Sequence, residues 1–352
     1  MVDWDLAVAT AKRIMRPGPE VSREEARQVV GVLRQGAADS TRYVRDYTGM
    51  VAEAATAPVV VVDRAGWVQA NADGFRHVLS PLVGKLAEKR PEPHALMTAI
   101  GSRVTGIEAG TLLAFLSGKV LGQFDPFWGG ADGNGSADVG RMLLVAPNIV
   151  QVERELDVDA ADFRLWVCLH EETHRVQFTA VPWMRAHVRN EIATLIESTP
   201  VDPTTIASML RDGFDRVGRA MRGEGEASLL DLFQTPEQRA VLDRLTAIMS
   251  LLEGHAEVVM DGVGPSVIPT VAHIRKRFQE RRAGGSPLDQ LLRRLLGLDA
   301  KLRQYREGAS FMRGVLEQVD MSGFNAVWTG PESLPTKEEI TDPAAWVRRV
   351  HG

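Results

Sequence analysis

The sequence predicts an α+β fold that is mainly helical with a small β-sheet, and three observations carry this. Apolar residues recur at three- and four-residue intervals through most of the 352 residues, the period of helices that pack by one face. Only two short stretches, 59–62 and 141–146, have strand character. A segment of helical period also holds His170-Glu171-Glu172-Thr173-His174, an H-E-x-x-H, and that spacing sets two imidazoles on one helix face.

A chain of this length buries a sizeable core, as one large domain or two intimately packed lobes. A helical lobe over 1–140 and a motif-bearing lobe over 141–352, packed as one compact unit, is the expected organisation. Charged residues at 25% and hydrophobic ones at 44% are typical of a soluble globular protein, and a net charge of -5 argues against a general nucleic-acid binder. The single cysteine, Cys168, excludes an internal disulfide and is expected to face the core. Residues 1–5 carry neither a basic region nor an apolar run. The most membrane-like stretch, 107–121, is too short to span a bilayer and contains Glu108 and Lys119. A cytoplasmic protein with no membrane or nucleic-acid partner is expected.

Taken in order, the pattern is helical from Asp3 to about Gly36, interrupted at Pro17-Gly18-Pro19, and Ser22 with Glu25 forms a capping-box signal. Residues 40–55 read as a further helix. The β-branched run 59–62 is a strand or merely extended, and Asp63-Arg64-Ala65-Gly66 marks a turn. Helices are expected over 68–90 and 93–123. In the second, Gly101, Gly106, Gly110, Gly118 and Gly122 each cost roughly 1 kcal/mol of helix propensity relative to alanine, so close backbone packing is the expected compensation.

Gly129 to Gly140 reads as a flexible connection. The clearest strand, 141–146, ends at Pro147 just ahead of the motif, where an exposed edge could pair with an extended substrate. Asp159 caps the motif helix and Val181-Pro182 ends it; amphipathic segments follow at 184–197 and 203–221. Thr235 as cap, Pro236 in the first position and Gln238 closing the box open a helix to about Met260. His273, Arg275, Arg277, Arg281 and Arg282 read as a solvated basic face. Ser286-Pro287 starts and Gly297 stops another helix, and 299–318 forms the next. Thr336 and Asp342-Pro343 start the last two, with Trp346 as a packing anchor.

The chemistry is divided between two places. Late in the helix opened at Thr235 comes Leu252-Glu253-Gly254-His255-Ala256-Glu257. His170, His174 and a distant glutamate make the three-ligand set of one class of catalytic zinc sites, which leaves a fourth position for water. Glu253 is the expected third ligand; His255, about 200° away around the helix, is its rival. Glu257 shares the face of Glu253, as suits a carboxylate that orients a ligand histidine through its other ring nitrogen. Glu171 is placed to take a proton from the water as general base. Tyr305 is a candidate donor to a developing oxyanion. The E-x-x-x-E spacing resembles the E-x-x-x-D of thermolysin-like gluzincins, although Leu252 stands where those enzymes have asparagine.

Val120-Leu121-Gly122-Gln123-Phe124-Asp125, the His170 motif, Leu252-Glu253-Gly254, Leu298-Asp299-Ala300-Lys301-Leu302-Arg303-Gln304-Tyr305-Arg306-Glu307-Gly308 and Leu334-Pro335-Thr336 resemble the actinobacterial zincin-like hydrolase family. Within it the chain is most similar to the branch associated with biosynthesis of the deazaflavin coenzyme. The resemblance spans nearly the whole chain and implies a mostly helical, zincin-like metalloprotease fold.

A zinc-dependent peptidase or related amide hydrolase is therefore the leading expectation, acting on a peptide or a small amide. A catalytically idle, zinc-stabilised scaffold that binds a partner is the alternative, and direct service in deazaflavin coenzyme biosynthesis a third. Glu171 favours the enzyme, since a scaffold needs no base beside its metal.

Overall fold

The computed structural model describes residues 2–52, 57–79, 95–129, 140–198, 235–283 and 298–352, with the side chains of 95–101, 282–283 and 298–305 outside that description. All but the two ends of the expected connection from Gly129 to Gly140, the segment 203–221 and the helix signals at Ser286, Pro287 and Gly297 lie outside the described residues. The fold class is as the sequence predicts: helices dominate, with one three-stranded mixed sheet. No described helix is long and apolar enough to cross a membrane. The chain divides into two units, 1–185 with 259–275, and 186–258 with 276–352.

The first unit opens with α1 (Trp4–Ile14) and α2 (Arg23–Thr48). Ser22 caps α2 by accepting from Glu25 N at 3.1 Å, and Gly49 closes it in the left-handed conformation, φ 70°. The two helices expected up to Gly36 and over 40–55 are thus one helix of 26 residues from Arg23. Gly36 is tolerated within it because Cys168 Sγ lies where a side chain would point, 3.3 Å from a Cβ. Strand β1 (Val59–Val62), helix α3 (Arg64–Val78) and helix α4 (Ala95–Ser117) follow. The expected backbone contact of the small residues in α4 is present: a Cβ at Gly106 would stand 2.7 Å from Asp3 O, and one at Gly110 would overlap the Ala7 carbonyl.

The chain expected to continue helical to Gln123 instead leaves α4 at Ser117 and forms β2 (Gly122–Asp125). Next come β3 (Arg141–Val145) and α5 (Ala146–Leu156). The sheet order is β1-β3-β2: β1 runs parallel to β3 in the register Val60↔Leu143, and β2 antiparallel in the register Gln123↔Leu143. The 141–146 run is therefore the central strand and not an exposed edge. Met142, Leu143, Leu144 and Val145 are all fully or almost fully buried, as a continuous apolar run must be when both faces of its strand are covered.

Helix α6 (Ala160–Thr179) carries the histidine motif. Asp159 caps it by accepting from Asp162 N at 2.9 Å, and Asp162 in turn accepts from Thr270 N at 3.1 Å and Thr270 Oγ1 at 2.5 Å. Helix α6 packs on α2 and against β2 and β3, and Phe163, Val167, Cys168 and Val176 are buried on it. The buried pair Glu172–Arg175, 2.8 Å apart, secures it further: Arg175 donates to Ala57 O (2.9 Å) and Thr41 Oγ1 (2.8 Å).

Helix α7 (Pro182–Ser198) leads into the second unit. Helix α8 (Pro236–Val267) then starts as its sequence signal predicts, with Gln238 N donating to Thr235 Oγ1 (3.2 Å) and Thr235 N to Gln238 Oε1 (3.3 Å). Helix α9 (Val271–Ala283) pairs its Arg275 with Asp261 and its Arg277 with Glu280. Helix α10 (Leu298–Leu316) crosses α8 at glycines: a Cβ at Gly254 would overlap the Gly308 backbone, and one at Gly308 would overlap the Ser250 carbonyl. The chain ends in α11 (Met321–Phe324), two 3-10 turns, α12 (Lys337–Thr341) and α13 (Pro343–His351). Trp346 is fully buried there and donates to Ser333 O at 2.8 Å.

Candidate metal centre

Four residues apart on α6, His170 and His174 come to one face, ring centroids 4.7 Å apart and ring planes at 88°. Their Nε2 atoms converge to 3.2 Å. A tetrahedral zinc with bonds of 2.0–2.1 Å to nitrogen separates two such atoms by about 3.3 Å. The far nitrogens are engaged elsewhere: His174 Nδ1 lies 2.9 Å from Gln177 Oε1, and His170 Nδ1 lies 3.2 Å from Met260 Sδ.

Met260 belongs to α8, and Glu253 precedes it by seven residues, two helical turns, on the same face. The face of α8 that reaches His170 is thus the face of Glu253. The ligand atoms of His170, His174 and Glu253 all lie within 4.8 Å of one another, and Glu253 is buried. Two imidazole nitrogens and one carboxylate oxygen at these separations fit a divalent metal such as zinc, with a coordination position left for water. His255, two residues on, points elsewhere. It is fully buried against Phe324 (5.7 Å, nearly parallel) and Trp328 (5.3 Å, edge-on).

Glu171 is buried on α6 against β2. A Cβ on Gly122 would lie 2.5 Å from its Cγ and 2.7 Å from Oε1, so only the absence of a side chain at residue 122 makes room for this carboxylate. Burial pushes the Cys168 thiol up to about 12, helped by the Glu171 and Glu172 carboxylates. Burial also raises the Glu172 carboxyl, against the opposing pull of Arg175. Glu257, one turn beyond Glu253, pairs with Arg313 of α10 at 3.6 Å. Tyr305 is a residue of α10 whose side chain lies outside the described residues.

Three residues around the cluster are given no role in the site by the sequence alone: Gln177, Met260 and Gly122. Gln177 had a readable signal, its i,i+3 spacing from His174 on a helix. Met260 had a weaker one, the two-turn spacing from Glu253. Gly122 had none, because its strand reads as the end of a helix.

Residues 2–347 match a family described as zincin-like metallopeptidase. Among solved structures the chain is similar to a protein from Chloroflexus aurantiacus described as a candidate hydrolase with a novel fold. The identity is 29% and the TM-score 0.71, over 100% of this chain and 99% of that one. No curated protein matches the chain.

Proposed function

The chain belongs to the zincin-like metallopeptidase family, and from that premise we propose that it is a zinc-dependent hydrolase that cleaves an amide bond. The observation that carries this is the convergence of His170, His174 and Glu253 within 4.8 Å, beside a buried glutamate at the second position of the H-E-x-x-H. Zinc held by these three residues would supply the Lewis acidity that brings a water's pKa from 15.7 towards about 7 and polarises the scissile carbonyl.

Glu171 takes the proton of that water as its oxygen bonds to the carbonyl carbon. The same carboxyl then returns the proton to the departing nitrogen as the C–N bond breaks. The balance is one water consumed and one carboxylic acid and one amine released.

An extended peptide or peptide-like amide is the substrate this geometry supports. Val145 N donates to Leu121 O at 2.8 Å, so by the alternation of an antiparallel ladder Gly122 and Phe124 direct their N–H and C=O groups away from β3. Among the described residues no strand pairs with this outer edge of β2. Gly122, which lies on Glu171, belongs to it. This reading therefore seats the substrate along β2 and not along the 141–146 strand, which is central. Service in deazaflavin coenzyme biosynthesis stays with this reading on the support of the sequence motifs, and a cytoplasmic location on that of a single, free cysteine.

The test is a panel of peptides and N-acyl amino acids incubated with the full chain, with and without a chelator. Chelator-sensitive release of amines is expected. A zinc-loaded protein that hydrolyses nothing across such a panel points instead to the zinc-stabilised scaffold.

A further inference from the structure

A neutral imidazole carries one ring proton, and the nitrogen that holds it cannot be a metal ligand. In His174 the nitrogen that converges on His170 and Glu253 is Nε2, so the proton must sit on Nδ1. Nδ1 is 2.9 Å from Oε1 of Gln177, a fully buried side chain one turn further along α6. We propose that Gln177 is the positioning residue of His174: its carboxamide oxygen accepts the Nδ1–H, fixes the ring's rotation and tautomer, and so leaves the Nε2 lone pair directed at the metal.

This rests on the reading of His174 as a ligand. An amide turned the other way would donate its NH₂ group to Nδ1, move the ring proton to Nε2 and block the site, so the oxygen must face inward. In the structure it is the oxygen that stands at Nδ1, 2.9 Å away. An amide also differs from the carboxylate that commonly performs this task, since it orients the ring without adding a negative charge. The metal then keeps more of its charge for polarising water and carbonyl.

The test is zinc affinity, measured by competition with a chelating dye on the metal-stripped full chain, for wild type, Gln177→Leu, Gln177→Glu and His174→Ala. Loss of an orienting partner typically costs about 10- to 100-fold in metal affinity, and Gln177→Leu is expected to show it. Gln177→Glu, whose carboxylate can only accept from the ring, is expected to hold zinc at least as tightly as wild type, which a merely space-filling role would not produce. Wild-type affinity in Gln177→Leu, or equal weakening in both Gln177 variants, overturns the proposal. If His174→Ala binds like wild type, the metal reading fails and takes this proposal with it. If His174→Ala loses zinc and Gln177→Leu does not, only the assignment to Gln177 fails. Should Gln177→Leu not fold, ¹⁵N NMR of histidine-labelled, metal-free wild type decides. A proton on Nδ1 of His174 supports the proposal, and one on Nε2 overturns it.

Discussion

Glu171 rests against the backbone of Gly122, with Oε1 only 2.7 Å from where a Cβ would be. The proposed general base, on one helix, is thus seated by the missing side chain of a neighbouring strand. Gly122→Ala should push the carboxylate aside while leaving His170, His174 and Glu253 in place. Zinc content is expected to stay at the wild-type level while hydrolysis falls by about 10²-fold or more, the scale of a misplaced general base. Metal analysis and turnover on the same preparation check this, and undiminished turnover would remove Gly122 from the account.

Glu171→Gln replaces the carboxylate with a near-isosteric amide that cannot take a proton. It should keep metal and fold but lose about 10²- to 10⁴-fold in turnover. Full retention of metal-dependent hydrolysis would show that another group moves the proton.

Each of His170→Ala, His174→Ala and Glu253→Ala should lose metal, whereas His255→Ala should keep it. Removing His255 leaves a hole between Phe324 and Trp328, with an expected cost of about 2 kcal/mol or more in unfolding free energy. Metal analysis beside urea unfolding separates the two effects. Loss of zinc from His255→Ala with retention in Glu253→Ala would exchange their roles.

Gly308 lets α10 touch α8 at Ser250, one turn before Gly254 and three residues before Glu253. Gly308→Ala forces backbone apart from backbone, and overpacking of this kind costs about 1–3 kcal/mol. A lower melting temperature is expected together with weaker zinc binding, since the displaced helix carries Glu253. An unchanged melting temperature would mean that the crossing has slack.

The Arg349 guanidinium, opposed in part by burial, holds the Glu339 carboxyl below its usual 4.5. A carboxyl lower in the folded than in the unfolded chain adds stability that is complete above the unfolded value and is lost as pH falls through the folded one. The destabilisation caused by Arg349→Met should therefore be largest near neutral pH and shrink as pH drops below 4.5. Urea unfolding of both proteins across that range reads it directly, and a difference independent of pH would refute the linkage.

What the sequence by itself determined is what a few neighbouring residues can decide. The caps at Ser22, Asp159, Thr235 and Thr336 are bonds across three residues. The common face of His170 and His174 follows from four residues of helix, and the opposite facing of Glu253 and His255 from two. These need no knowledge of the rest of the chain, because helix geometry fixes them locally.

The tertiary structure decided whatever depends on a partner far away in the chain. Whether 141–146 lies at the edge or the centre of the sheet depends on β1 and β2, and an apolar run reads the same in either place. The turn from α4 into β2 is stabilised by ladder bonds to β3, which no local period announces. Gly122 meets Glu171 only through that pairing, and Met260 meets His170 across 90 residues. Hydrogen bonds and contacts between distant segments form only once burial has brought them together. For this reason the shared face of His170 and His174 could be read from spacing, while the neighbours that Met260 and Gly122 provide could not.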